Sequence, residues 1–255
     1  MPIRKQLLAK TTAPLVEIEH ILHAEHSDPF HVLGAHPVKV DGKPAVAIRA
    51  FLPDAAQVWA VRDAGAVALE RIHADGFFEA VFPGESRIFT YRLRARNAGG
   101  DEWEFDDPYR FPPFLSDFDL HLLSEGTHYD AYEKLGAHLR EIEGVRGVTF
   151  AGWAPDARRV SVVGDFNNWD GRRHPLRVRG ESGIWEIFLP GLGEGEIYKY
   201  EIKSRDNSLL GLKADPFAFY SEFRPKTASV VYDVNRYTWH DDAWMAERPR
   251  RQALD

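Results

Sequence analysis

The chain has 255 residues, 44% of them hydrophobic and 13% aromatic, with 32 Lys and Arg against 39 Asp and Glu for a formal charge of −7. That is enough apolar material for one large core or two ordinary ones, and the acidic balance argues against a sequence-independent grip on nucleic acid or on an acidic lipid surface. With no cysteine there is no disulfide framework or thiolate metal site, and no run approaches the roughly 20 apolar residues that cross a bilayer.

In chain order, MPIRKQLLAK lacks the apolar run and cleavage pattern of a signal peptide, and a soluble, cytoplasmic protein is expected. Behind Pro14, Leu15, Ile18, Ile21 and Leu22 recur at helical spacing, which predicts a short helix packed on a domain. His20, His23, His26 and His31 cluster in the same stretch. Zinc wants a convergent set at defined spacing, and with no paired Cys and no HExxH helix these histidines read as a solvated helix face. Neither a metal nor a cofactor is expected.

From Leu33 onward the chain is written twice. LGAH occurs at Leu33 to His36 and again at Leu135 to His138, an offset of 102 residues. VAIRAFLPDAAQVWAVRD from Val46 lies over VTFAGWAPDARRVSVVGD from Val148 at the same offset. GFFEAVFPG from Gly76 matches GIWEIFLPG from Gly183 at 107, and DPYRF from Asp107 matches DPFAF from Asp215 at 108. Each copy consists of short runs rich in Val, Ile, Phe, Tyr and Trp, broken by Pro, Gly, Asp and Asn. That is the patterning of an all-β fold, two tandem immunoglobulin-like β-sandwiches with short flanking helices. FTYRLRAR from Phe89 and YKYEIKSR from Tyr198 alternate strictly and in the same phase, so Lys199, Glu201 and Lys203 are expected on the wet face of their strand. Near the end, WHDDAWMAE from Trp239 can form a last turn or two of helix.

The repeat supplies an internal comparison: what both copies share serves the fold, and what only one has is a candidate for function. Between Asp63 and Gly76 the first copy has twelve residues, and between Asp165 and Gly183 the second has seventeen, the additional ones falling around FNNWDGRRHP. Trp169 there sits among Asn167, Asn168, Asp170, Gly171, Arg172 and Arg173, a polar turn in which a buried ring finds few apolar neighbours. An exposed indole packs flat against the C–H face of a pyranose ring, and Asn amides offer donor and acceptor to sugar hydroxyls. Lys199 stands where the first copy has Thr90. In the competing reading the loop folds back, tucks Trp169 over a sandwich edge and uses the Asn residues as turn formers; the residues alone leave both open. Trp153 replaces Phe51 and Trp185 replaces Phe78, so core packing is favoured for both, with Trp185 kept as a weaker sugar-binding candidate. No GxSxG, GxGxxG or GxxxxGK[ST] occurs, and no catalytic residue is assigned.

HSDPFHVLGAH from His26, FPPFLSDFDLHLLSEGTHYDAYEKLGAH from Phe111 and GWAPDARRVSVVGDFNNWDG from Gly152 resemble the N-terminal portion of bacterial 1,4-α-glucan (glycogen) branching enzymes, over nearly the whole chain. The FNNW loop alone is also similar to the family 48 carbohydrate-binding modules of debranching enzymes, trehalohydrolases and the β subunit of AMP-activated kinase. The resemblance implies a non-catalytic part of an enzyme of glycogen biosynthesis. A first sandwich is expected over 1–112, a linker over 113–127, a glucan-binding sandwich over 128–235 and a tail over 236–255. The tail leads to an α-amylase-type barrel, which needs about 250 residues of its own and is expected outside these. Partners implied are glycogen or another α-1,4-glucan and that barrel, which carries the glycosyl transfer through a covalent intermediate. The resemblance lines the sugar site with Trp169 and Lys199, with Asn167 and Asn168 beside them. The kinase modules place a second tryptophan in the next turn, where this chain has SRDNSLLGLK, and Leu209 and Leu210 are the residues that could assist a single indole. Other readings are two purely structural sandwiches, the glucan-binding part of a debranching enzyme or trehalohydrolase, and a stand-alone regulatory binder.

Overall fold

The computed structural model describes residues 7–251. Its strands are β1 (Gly34–Val40), β2 (Lys43–Phe51), β3 (Ala55–Arg62), β4 (Gly65–His73), β5 (Phe77–Pro83), β6 (Arg92–Asn97) and β7 (Glu102–Phe105) in the first copy. The second copy has β8 (Gly136–Ile142), β9 (Val145–Trp153), β10 (Ala157–Gly164), β11 (Arg177–Val178), β12 (Ile184–Pro190), β13 (Ile197–Ser204), β14 (Tyr220–Ser221) and β15 (Ser229–Val230). Three helices accompany them, α1 (Leu15–Leu22), α2 (Asp117–Glu125) and α3 (Asp242–Arg251). The all-β reading holds.

In the first copy the strands run in the order β1-β2-β5-β4-β3-β6-β7 as one antiparallel sheet. The first half of β4 pairs with β3 and its second half with β5, so the sheet turns over itself and encloses Ile48, Val58, Phe78, Phe82 and Leu93. In the second copy that junction is cut. Two sheets, β11-β12-β9-β8 and β10-β13-β15-β14, face each other over Val148, Phe150, Val162, Trp185 and Tyr198. The nine residues of β4 shrink to the two of β11, because residues 165–173 leave the sheet as a loop.

The repeated motifs meet in space. Gly34 of the first LGAH has φ 89 and a Cβ there would lie 2.8 Å from the Tyr109 carbonyl oxygen; Gly136 of the second has φ 98 and the same clearance from the Phe217 carbonyl. Only glycine fits both the backbone conformation and the approach. Asp107 accepts from the Tyr91 hydroxyl at 2.6 Å, and Asp215 from Tyr198 at 2.8 Å and Tyr200 at 3.2 Å. A buried glutamate, Glu79 or Glu186, stands at matching positions on β5 and β12 and accepts the backbone N–H of the segment ahead of each helix, Thr12 at 2.9 Å and Leu115 at 3.1 Å.

The stretch expected as a linker holds a helix, and two expectations about side chains are corrected. The linker over 113–127 contains α2, capped by Ser116 and Asp119 in a reciprocal capping box, and Leu120 and Leu123 pack it onto Leu135 and Ile184. His26 is not on a solvated face: it is largely buried and lies 2.7 Å from Glu17. Trp153 is 64% exposed, although its counterpart Phe51 is only 5% exposed. Among the described residues no group of three His, Cys, Asp or Glu could hold a metal ion, and no helix is long and apolar enough to cross a membrane.

The two sandwiches touch through the end of α1 and the turn after it. Arg159 Nε donates to the Ala24 carbonyl at 3.0 Å, Lys203 Nζ to His23 O at 2.8 Å and the Val178 N–H to Ser27 O at 3.0 Å. The Arg177 guanidinium stacks 3.7 Å from the centroid of the Phe30 ring, which itself packs edge-on against Tyr109. Lys203 is therefore half-buried under the first module, and Glu201 is half-buried against Arg159 and Gly171, rather than on a wet face.

Candidate functional site

The loop that interrupts the second sandwich starts where β10 ends. After it, residues 174–176 return along the edge of β10, with Val162 N–H donating to His174 O at 3.2 Å and Leu176 N–H to Val160 O at 2.8 Å. In the first copy the same connection is a tight turn that sends β3 directly into β4 with Arg62 opposite Gly65. The five additional residues are thus spent on an excursion from one strand edge back to the same edge.

Buried polar groups shape that excursion. The Asn167 carboxamide oxygen accepts from Gly164 N–H at 3.0 Å, while its nitrogen donates to Val162 O at 2.9 Å and contacts His174 Nδ1 at 3.0 Å. At 1% exposure Asn167 is a strut of the loop, which corrects its expected place beside a sugar: every polar group of that amide is engaged by the protein. Farther along, Gly171 O accepts from Ser161 Oγ at 2.6 Å and from Arg159 at 3.3 Å. A Cβ on Gly171 would fall 1.9 Å from Glu201 Oε1, so the loop lies flat on the outer face of β10 and β13 rather than projecting from it. Ser161 and Val163, whose phase turns them away from the core, are fully buried.

At the tip of the curl two consecutive non-glycine residues are left-handed, Asn168 at φ 56 and Trp169 at φ 58. For asparagine this is tolerable; for a bulky side chain it opposes backbone sterics by about 1–3 kcal/mol. The conformation is held by Asn168 N–H to Asp165 O at 3.2 Å and Trp169 N–H to Gly164 O at 3.0 Å. It delivers the indole half-buried to the surface, with Nε1 donating to Asp165 Oδ1 at 2.7 Å. Asn168 is exposed next to it.

Lys199 comes to the same end of the sheet by register. It is the cross-strand partner of Val163, one residue before the Gly164 that accepts from Trp169, and it faces away from the core while Tyr198 and Tyr200 face in. Its ammonium donates to Thr227 Oγ1 at 2.7 Å. Thr227 and Asp165 are functional candidates that sequence reasoning missed. Asp165 has the counterpart Asp63, so a comparison of the two copies does not single it out, and Thr227 has no repeat partner to be compared with.

The remaining candidates lie apart. Trp185 is 2% exposed in the core, its indole donating to Ala154 O at 3.0 Å, so as a sugar-binding residue it is corrected. Leu209 and Leu210 are exposed, but Leu209 stands opposite Lys203, four residues along β13 from Lys199, or about 13 Å at strand rise. His174, behind the loop, is held down to about 3 by burial first and by the Arg173 charge second. Burial works to raise the Asp170 carboxyl, but its hydrogen bonds and ion pair with Arg172 outweigh that and hold it below its ordinary value.

Comparison with known proteins matches these two units separately. Residues 15–109 match the family described as alpha-1,4-glucan branching enzyme GlgB, N-terminal domain, and residues 134–218 match carbohydrate-binding module 48, the isoamylase N-terminal domain. The chain belongs to the GlgB family. The 1,4-alpha-glucan branching enzyme GlgB of Paramagnetospirillum magneticum is 51% identical over 252 residues, which is 98% of this chain and 32% of that GlgB. The GlgB of Rubrobacter xylanophilus is 52% identical over 240 residues, 93% of this chain and again 32% of the relative. The chain thus spans about a third of the length of the curated GlgB proteins it matches.

Proposed function

We propose that the second module binds α-1,4-glucan chains as a non-catalytic part of a 1,4-alpha-glucan branching enzyme in glycogen biosynthesis. The glucan lies on the Trp169 indole, with Lys199 and Thr227 offering hydrogen bonds to hydroxyls of a neighbouring glucose unit and Asn168 at the rim. Asn167 supports this arrangement from beneath. The observation that carries the reading is the left-handed turn at Asn168 and Trp169: a fold that wanted only a tight turn there is served by glycine, and instead a strained backbone presents an indole at the surface. Asp165 fixes the ring in place before ligand arrives, which lowers the ordering entropy of binding.

The affinity expected of one aromatic platform is micromolar to millimolar, or roughly 4–8 kcal/mol. Retardation in a glycogen-containing native gel and calorimetric titration with maltoheptaose test it. Trp169→Ala is expected to abolish retardation and to weaken maltoheptaose at least tenfold. Unchanged retardation would remove the assignment and leave two structural sandwiches.

A further inference from the structure

One aromatic ring belongs to the first copy alone. Trp59 on β3 occupies the position of Ser161 on β10, at the offset of 102, and Gln57 occupies that of Arg159. In the second module the loop 165–173 lies over that outer face and seals Ser161 and Arg159 at 0% and 1% exposure. The first module has no such loop, since β3 turns straight into β4 with Arg62 opposite Gly65. Its outer face stays open to solvent, and Trp59 stands half-buried on it, as Trp169 does on the second module. Core packing does not account for the ring, because Val58 and Ala60 on either side of it are the residues that turn inward.

Around the ring the face is built up on one side and low on the other. Arg94 is its cross-strand partner on β6, and the Arg96 guanidinium lies 5.4 Å from the ring centroid, ion-paired to Glu102 and donating to Gln57 Oε1 at 3.3 Å. On β4 the partner is Ala68, with Ala66 two residues along on the same face; both are exposed, so no long side chain rises beside the indole there. Among the described residues no protein group accepts from the Trp59 N–H. Exposed Gln57 keeps its carboxamide nitrogen free, and Glu70, next along that face of β4, is exposed with no cation on its carboxylate. The β6 arginines are already matched, Arg92 and Arg94 by Glu104 and Arg96 by Glu102.

We propose that this face is a second glucan-binding site, carried by the first module. The C–H face of a glucose unit stacks on Trp59 above Ala66 and Ala68, the indole N–H and the Gln57 amide donate to its hydroxyls, and Glu70 accepts from one. The face selects a neutral, polyhydroxylated chain. A phosphate or an acidic polymer finds the β6 arginines already paired, and one ring with two methyl groups is far less apolar surface than the core of a protein interface needs. That the chain is an α-1,4-glucan rests on the reading of the second module given above, whereas the site itself does not depend on Trp169. Trp59 has no counterpart of the Asp165 contact that fixes the other indole, so it must be ordered on binding and holds sugar more weakly. Too weak to retain glycogen alone, it adds to retention by the second module, because a branched polymer can engage both sites of one chain.

Indole proton–nitrogen NMR spectra of the 255-residue chain, titrated with maltoheptaose, test it; single Trp→Phe variants assign the seven tryptophan signals. The Trp59 and Trp169 signals are both expected to move, Trp59 with a midpoint at least tenfold higher, and the Trp59 shift is expected to persist in Trp169→Ala. A Trp59 signal that stays still while Trp169 moves overturns this inference and leaves the second module's site standing. Movement of Trp59 alone supports this inference and removes the assignment at Trp169. An equal Trp59 shift with cellohexaose, whose units are β-linked, overturns the assignment to α-glucan, and a shift that follows protein concentration instead of sugar overturns it in favour of a second copy of the chain. Ala68→Leu raises a side chain beside the ring at an exposed strand position. It is expected to abolish the Trp59 response while leaving the melting temperature and the Trp169 midpoint unchanged; a retained response would overturn the stacking geometry. Trp59→Ala should weaken retardation by glycogen at least threefold without moving the Trp169 midpoint for maltoheptaose, and unchanged retardation would overturn the joint grip on the polymer.

Discussion

Trp169 occupies a position whose backbone suits glycine, and that separates its contribution to the fold from its contribution to binding. At φ 58 an L-residue is opposed by about 1–2 kcal/mol, a cost that glycine escapes. Both Trp169→Gly and Trp169→Ala are expected to lose maltoheptaose binding, but urea unfolding should find the glycine variant about 1 kcal/mol more stable than the alanine one. A glycine variant less stable than the alanine variant would mean that the turn is not strained. The two adjacent amides divide in the same way. Asn167→Ala leaves Gly164 N–H and Val162 O without their buried partner, about 1–3 kcal/mol for each unsatisfied group, whereas exposed Asn168→Ala breaks no buried hydrogen bond and should cost only asparagine's tolerance of the left-handed backbone at φ 56, about 1 kcal/mol. Trp169 and Lys199 were legible because an insertion and a strand phase expose them. Which of two neighbouring asparagines turns inward was not, since both have the same chemistry and only the curl of the backbone decides.

The loop shows how one insertion changes an element as well as a site. Five extra residues cut β4 of the first copy down to β11 in the second, so the sheet that turns over itself in one module becomes two separate sheets in the other. The strands around it were readable from alternation, and α2 carried its own signal in Ser116 and Asp119. That signal was masked because the apolar residues of α2 are few and its stripe weak; packing on Leu135 and Ile184 rather than propensity holds it. His174 ties the loop to the returning edge of β10 and gives it a pH dependence. Its ordinary pKa of 6.5 falls to about 3 in the folded protein, so below 6.5 the unfolded chain takes up a proton that the folded one refuses. The stability this group contributes is complete above pH 6.5 and is lost as pH falls toward 3. Asp107 works in the opposite sense: burial raises it from 3.8 to about 6, so the folded state holds the extra proton between those values and stability falls there as pH rises. Substituting His174→Gln isolates the first effect. The stability gap between wild type and variant should be widest above pH 6.5 and narrow steadily toward pH 4 in thermal melts; a gap independent of pH would show that the ring protonates freely in the folded state.

At the scale of the molecule, one buried side chain connects the contact between modules to the loop proposed to bind glucan. Arg159 is 1% exposed and donates to Ala24 O in the first module, to Ser161 Oγ and Gly171 O beneath the loop, and to Glu201 Oε1 at 2.7 Å. Alternation along β10 placed it on the outer face, but the sequence held no sign that this face is covered, because the cover comes from residues more than 130 positions earlier. Removing one partner of a buried, hydrogen-bonded ion pair typically costs about 3–5 kcal/mol. Glu201 retains access to solvent, so the lower end applies to Arg159→Met. Three consequences should appear together: a loss of about 3 kcal/mol, a calorimetric melt that splits from one transition into two as the modules part, and weaker maltoheptaose binding although Arg159 touches no sugar. Lys203→Met, which loses the His23 contact but leaves Gly171 anchored, should loosen the modules while preserving affinity. If Arg159→Met kept a single transition and full affinity, the loop would owe its shape to Asn167 alone, and the first module would stand apart from binding at the second.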